Sequence, residues 1–182
     1  MRITLTIMFM ITSLIVHSQS NEINVSGNQT NRYSLIYPET DSFTFCSKTF
    51  LIPEEARYSI LKKNDSLITN QGSISFIQGC LFHWEYLTSE EEARNKYHGF
   101  LENLERTADD FSKKPIKCVL ENKEVDGLKI SFRSKTRNKH FKILTYGLIN
   151  GQWVVVYISS QYEIKRNRHI EPIIRQFLCL SK

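Results

Sequence analysis

The chain has 182 residues, enough for one domain of ordinary size. With 41% hydrophobic, 24% charged and 12% aromatic residues it holds the material for a packed core, which excludes a disordered chain. Only 7 Gly and 4 Pro occur, so collagen-like or low-complexity architectures are excluded too, and 24 Lys and Arg against 19 Asp and Glu give a formal charge of +5.

Residues 1–18 read as a signal peptide. Arg2 supplies a short positive start, Ile3–Val16 is apolar apart from Thr and Ser, and Val16-His17-Ser18 precedes Gln19 in the manner of a cleavage site. The apolar run falls short of the ~20 residues that span a bilayer, which favours cleavage over anchoring. Residues 19–32 are polar and lack periodicity, a leader to a single domain over 33–182. The expected location is therefore periplasmic or secreted. Sequons stand at Asn24, Asn28 and Asn64.

Tyr33–Tyr37 and Phe43–Cys46 have the composition of short strands, and Pro53-Glu54-Glu55 suits the first turn of a helix reaching Lys63. Ser73–Ile77 and Leu81–Leu87 suggest a hairpin about Gln78-Gly79. In its second strand Phe82, Trp84 and Tyr86 alternate with His83 and Glu85, so one aromatic face meets a core. A long amphipathic helix is predicted over Ser89–Phe111. Ser89 and Glu92 match a capping box, and Ala93, Tyr97, Phe100, Leu101, Leu104, Ala108 and Phe111 form one apolar stripe. Glu90–Arg94, Glu92–Lys96 and Glu102–Arg106 have ion-pair spacing. Strands follow at Ile116–Leu120, Leu128–Ser134 after a Val125-Asp126-Gly127 turn, His140–Ile149 and Gln152–Ser160, the last two joined by the hairpin signal Asn150-Gly151. The apolar run Trp153–Ile158 suits a central strand covered on both faces. Ile170, Ile173, Ile174, Phe177 and Leu178 have the spacing of a C-terminal helix. The expected fold is α+β: an antiparallel sheet packed by the long helix and the C-terminal helix.

This order of elements resembles the PsbP/Mog1-like superfamily. The residues that carry the likeness are Val125-Asp126-Gly127-Leu128-Lys129-Ile130-Ser131-Phe132, the Tyr146–Ser160 hairpin and the Ile170–Phe177 ending. The resemblance is architectural and implies a helix–sheet–helix sandwich with mostly non-catalytic, partner-binding relatives. It maps no functional residue onto this chain.

The four cysteines, Cys46, Cys80, Cys118 and Cys179, are an even number in an exported chain, which suggests at least one disulfide. Their spacing matches no zinc motif. The sequence contains no nucleophile elbow, Walker loop, dinucleotide fingerprint or metal-binding helix motif, so no catalytic residue, cofactor or metal is expected. A small exported hydrolase would need a site gathered from scattered residues such as His83, Glu85 and Cys118, or Cys118 beside His140.

Charge is distributed unevenly. Residues 19–110 hold 8 basic and 14 acidic residues, whereas 111–182 hold 15 basic and 5 acidic. Arg133, Lys135, Arg137, Lys139 and Lys142 make up much of the excess, with Lys165, Arg166 and Arg168 as a second group. These residues suit an acidic protein partner or an anionic membrane surface, and an exported chain meets little nucleic acid. The sequence therefore points to a non-catalytic protein-binding module, an accessory factor or a toxin-neutralising immunity protein. Charged residues at a hairpin tip also keep a sheet edge soluble without any partner.

Overall fold

Three hairpin turns fix the register of the molecule. Cys46-Ser47, Glu121-Asn122 and Asn150-Gly151 each place two consecutive residues at positive φ. This is the type I′ geometry whose twist matches that of the paired strands. In the computed structural model the described residues are 33–63, 66–77, 79–133, 138–161 and the backbone of 179–180. They form β1 (Tyr33–Ile36), β2 (Ser42–Phe45), β3 (Lys48–Leu51), β4 (Ala56–Lys63), β5 (Ser66–Leu67), β6 (Gln71–Phe76), β7 (Cys80–Leu87), α1 (Glu90–Thr107), β8 (Asp109–Leu120), β9 (Lys123–Arg133), β10 (Lys139–Ile149), β11 (Gln152–Ser160) and β12 (Cys179–Leu180).

Ten strands make one sheet in the order β1-β4-β6-β7-β11-β10-β9-β8-β12, with β5 beside β4, while β2 and β3 pair separately. The sheet consists of two antiparallel meanders. One runs β4-β6-β7, the other β8-β9-β10-β11, and they join where β7 pairs β11 from Trp153↔Leu87 to Ser160↔Cys80. Helix α1 carries the chain from one meander to the other.

Each face of the sheet has its own core. Phe82 and Trp84 of β7, Val154, Val156 and Ile158 of β11, and Ile143 of β10 pack beneath Phe43 and Phe45 of the β2–β3 hairpin. Trp84 is gripped there by Phe43, Phe45, Tyr58 and Phe82, with ring centroids 5.4–6.2 Å away. On the opposite face Val155, Tyr157, Leu144, Ile130 and Phe132 meet Ala93, Phe100, Leu101 and Leu104 of α1. Strand β11, buried from Val154 to Ile158, lies between these layers as its apolar run predicts.

The described structure corrects the expected fold. It is mostly β, one large antiparallel sheet with a single helix among the described residues, and not a helix–sheet–helix sandwich. The expected C-terminal helix falls on residues outside those described, and the chain next described, Cys179–Leu180, is a strand on β8. The helix expected from Pro53 to Lys63 is strand β4. Pro53 closes a turn by accepting from the Ala56 amide at 2.9 Å, after which Tyr58 and Ile60 alternate with Arg57 and Ser59. Helix α1 ends at Thr107, and Phe111 belongs to β8. The β8–β9 turn is Glu121-Asn122, so Val125-Asp126-Gly127 lies within β9. The disulfide expectation also fails. Cys46, Cys80 and Cys118 are free and buried in the hairpin-side core, where they serve as small apolar side chains. Burial pushes their thiols up, to about 12, 12 and 11. The side chain of Cys179 lies outside the described residues, as do the signal peptide, the leader and the three sequons.

Strand β8 lies at the sheet's edge, where β12 pairs only with Cys118 and Val119. Because Leu120 and Lys123 flank a two-residue turn, their pair is hydrogen-bonded, and the alternation turns the backbone of Lys113, Pro115 and Lys117 outward. Proline lacks an N–H there and the lysines are exposed, which blunts the edge against pairing with another chain.

Candidate functional site

Strands β9 and β10 run out to a basic end. Their register sets Arg133 directly opposite Lys139, both exposed, with residues 134–137 between them in sequence. Like charges in opposed positions repel. Arg133 is partly neutralised by Asp110, whose carboxylate lies 2.9 Å from its Nε. That contact depends on a bulge between Asp109 and Ser112, at which Asp110 takes φ 50°. Lys139 has no ion pair among the described residues, and its ammonium sits 5.3 Å from the centre of the Phe141 ring. Lys135 and Arg137 lie outside the described residues, as do Lys165, Arg166 and Arg168.

Lys142 does not belong to this surface. It points to the helix-covered face, is 6% exposed, donates to Ser159 Oγ at 3.0 Å and lies over the rings of Phe100 and Phe132. Desolvation pulls its amine down to about 8. Alternation along β10 explains the placement: Lys142, Leu144 and Tyr146 share the face that α1 covers.

The residues proposed for scattered hydrolase chemistry are not brought together. His83 and Glu85 face α1, whereas Cys118 packs in the core on the other side of the sheet, under Gly127. His140 stacks on Phe132 on the helix side, also away from Cys118. What does assemble around His83 and Glu85 adds three residues that the sequence reading left out of the site: Ser73, Tyr157 and Lys96. Ser73 Oγ lies 2.7 Å from His83 Nδ1 across the β6–β7 pair, and the Tyr157 ring stands 5.6 Å from the imidazole on the opposite side. Glu85 pairs with Lys96 of α1, which donates to Oε1 at 2.8 Å and lies 2.6 Å from Oε2. Desolvation and the neighbouring Lys96 ammonium hold His83 down at about 3, so it is neutral at physiological pH. Burial, with the Glu85 charge, raises the Tyr157 phenol well above its ordinary range. The hairpin register was the signal for Ser73: a three-residue loop before Cys80 sets it opposite His83.

No metal-holding group of three or more His, Cys, Asp or Glu occurs among the described residues. No described helix is long and apolar enough to cross a membrane. No family model matches the chain, and no curated protein matches it. Among solved structures, that of LpqN, involved in cell envelope biogenesis of Mycobacterium tuberculosis, aligns over 91% of this chain and 93% of that one, with a TM-score of 0.43 and 10% identity. A likeness at that level transfers neither fold nor function.

Proposed function

We propose that this chain is an exported, non-catalytic protein-binding module that meets an acidic partner through the basic end of β9 and β10. The observation that carries the reading is the Arg133–Lys139 pair: two exposed like charges held face to face, in a segment that adds Lys135 and Arg137. Within the fold Asp110 answers only Arg133, and an acidic partner would supply the counter-charge that Lys139 lacks among the described residues.

The test compares the wild-type protein with a Lys135→Glu/Arg137→Glu/Lys139→Glu variant in capture from the envelope or secreted fraction of its source cell. The expected result is a protein retained by the wild type at low salt, released as salt rises, and lost from the variant. The variant should keep or slightly raise its Tm, because repulsion is relieved. Equal capture by both proteins refutes the reading. Charge-dependent binding to anionic phospholipid vesicles with no captured protein would also overturn it, in favour of a lipid surface.

A further inference from the structure

The register carries one unbroken row across seven strands. Ala56 pairs with Phe76, Phe76 with Cys80, Cys80 with Ser160, Ser160 with Phe141, Phe141 with Ser131, and Ser131 with Ser112. The basic end lies just beyond this row, and so does a second field of the opposite sign. On the β4–β6 side Glu54 and Glu55 are exposed, and the carbonyl of exposed Asp41 holds the Ile52 amide at 2.7 Å; exposed Arg57 stands against these three acids. Ile77 follows Phe76 there, its amide bonded to the Glu55 carbonyl at 3.0 Å and the residue 79% exposed. On the β9–β10 side Arg133 and Lys139 lie beyond the row, and Lys114 opposes Lys129 two pairs further in, against Asp109 and Asp110. Four strand spacings of about 4.8 Å put β4 about 19 Å from β10. Charges in physiological salt are screened over about 8 Å, so the two fields cannot neutralise each other within one chain.

We infer that the partner met by the basic end is a second copy of this chain, docked sheet end to sheet end. The inference rests on the reading of that end as a protein-binding surface, and it names the partner. The strand order β4-β6-β7-β11-β10-β9 supplies the geometry. A two-fold axis normal to the sheet at the β7–β11 join exchanges β6 with β10 and β4 with β9. Glu54 and Glu55 of each copy then meet Arg133 of the other, and Ile77 is covered by the end of β10 that carries Lys139. A two-fold contact uses one patch twice, so each complementary pair forms two times and the assembly closes at two chains. An unrelated acidic protein would answer the basic half alone and leave Glu54, Glu55 and Ile77 in water. A copy answers both halves at once, and its electrostatic part weakens as salt rises.

Sedimentation of the purified protein over a range of concentrations, at low and at high salt, tests the assignment. The wild type should sediment as a dimer at low salt and as a monomer at high salt. Two variants reverse one half each: Glu54→Lys/Glu55→Lys and Arg133→Glu/Lys139→Glu. Each alone should be monomeric at low salt with little change in Tm, because like now faces like. Mixed in equal amounts they should associate again, since one is acidic in both halves and the other basic in both. A wild type that stays monomeric at low salt would overturn the inference, as would a dimer that survives in either variant. A mixture that fails to associate would overturn it as well. A monomeric wild type that still captures a different acidic protein removes the second copy but keeps the basic end as a binding surface. A wild type that neither associates nor captures anything removes both.

Discussion

Replacing His83 by Gln should flatten the acid side of the stability profile. Glutamine has similar reach and hydrogen-bonding groups but no proton to gain. In the wild type the imidazole stays neutral down to about 3, against 6.5 for the ordinary side chain, because it is desolvated and faces the Lys96 ammonium. Below 6.5 the unfolded chain therefore binds a proton that the folded chain refuses. Stability is fully present above 6.5 and drains away as pH falls towards 3. Between pH 7 and pH 5 the loss assigned to His83 is about 2 kcal/mol, from about 1.5 pH units at about 1.36 kcal/mol each. Urea unfolding followed by tryptophan fluorescence at the two pH values gives the free energies by linear extrapolation. Any cost of the substitution itself cancels when each protein is compared with itself, and the carboxylates titrate alike in both. The variant should lose about 2 kcal/mol less than the wild type over that interval. Parallel losses would refute the claim that His83 is held neutral in the fold.

Gly72→Ala would place a Cβ 2.5 Å from Trp84 Cζ2, against a ring fixed by four aromatic neighbours. The expected cost is about 1–3 kcal/mol, read as a lower urea midpoint at unchanged slope. Lys142→Met removes a buried amine that gives up its proton above about 8 in the fold but only above 10.5 in the open chain. Wild-type stability should thus climb by about 3 kcal/mol at most between pH 8 and 10.5, and Lys142→Met should lack that climb. Replacing Lys113, Pro115 and Lys117 together by Val restores an outward N–H and strips the charge from the β8 edge. Light scattering at high salt should then show concentration-dependent association that the wild type lacks, with little change in Tm.

Much of the sheet was legible because its local signals agreed with its tertiary setting. Asn150-Gly151 gives the positive φ pair that its hairpin needs, and Phe82, Trp84 and Tyr86 alternate onto one core. Ser89 caps α1 as expected, accepting from the Glu92 amide at 3.1 Å. Other partners then replaced those the spacing predicts. Glu92 reaches back to the amide and hydroxyl of Thr88, and Lys96 turns from Glu92 to the buried Glu85. The Pro53 segment failed because proline and acidic residues suit a turn before a strand as well as a helix start. Glu121-Asn122 was missed because neither residue is glycine, yet both adopt positive φ. Asn150 supports that end of the molecule, its amide nitrogen lying 2.7 Å from Glu121 Oε2 and 3.3 Å from Ser47 Oγ. Of the candidate site, the basic run was visible in the sequence. The burial of Lys142 was not, because a lysine inside a row of positive charges reads as surface until the strand's parity is known.

The join between β7 and β11 determines how the chain reaches this shape. Apart from β1–β4 and β8–β12, the other pairings in the sheet join strands close in sequence that can zip from their own turns, but Leu87 must find Trp153 across the whole second meander. Loop closure makes that encounter the slow, entropically expensive step. Helix α1 shortens the search, since it begins beside Leu87 and lays Phe100 against Tyr157 on the far strand. Until the join forms, β7 and β11 each present an open flank that fits the other. Two chains caught at that stage can complete each other's sheets, with α1 as the hinge of the exchange.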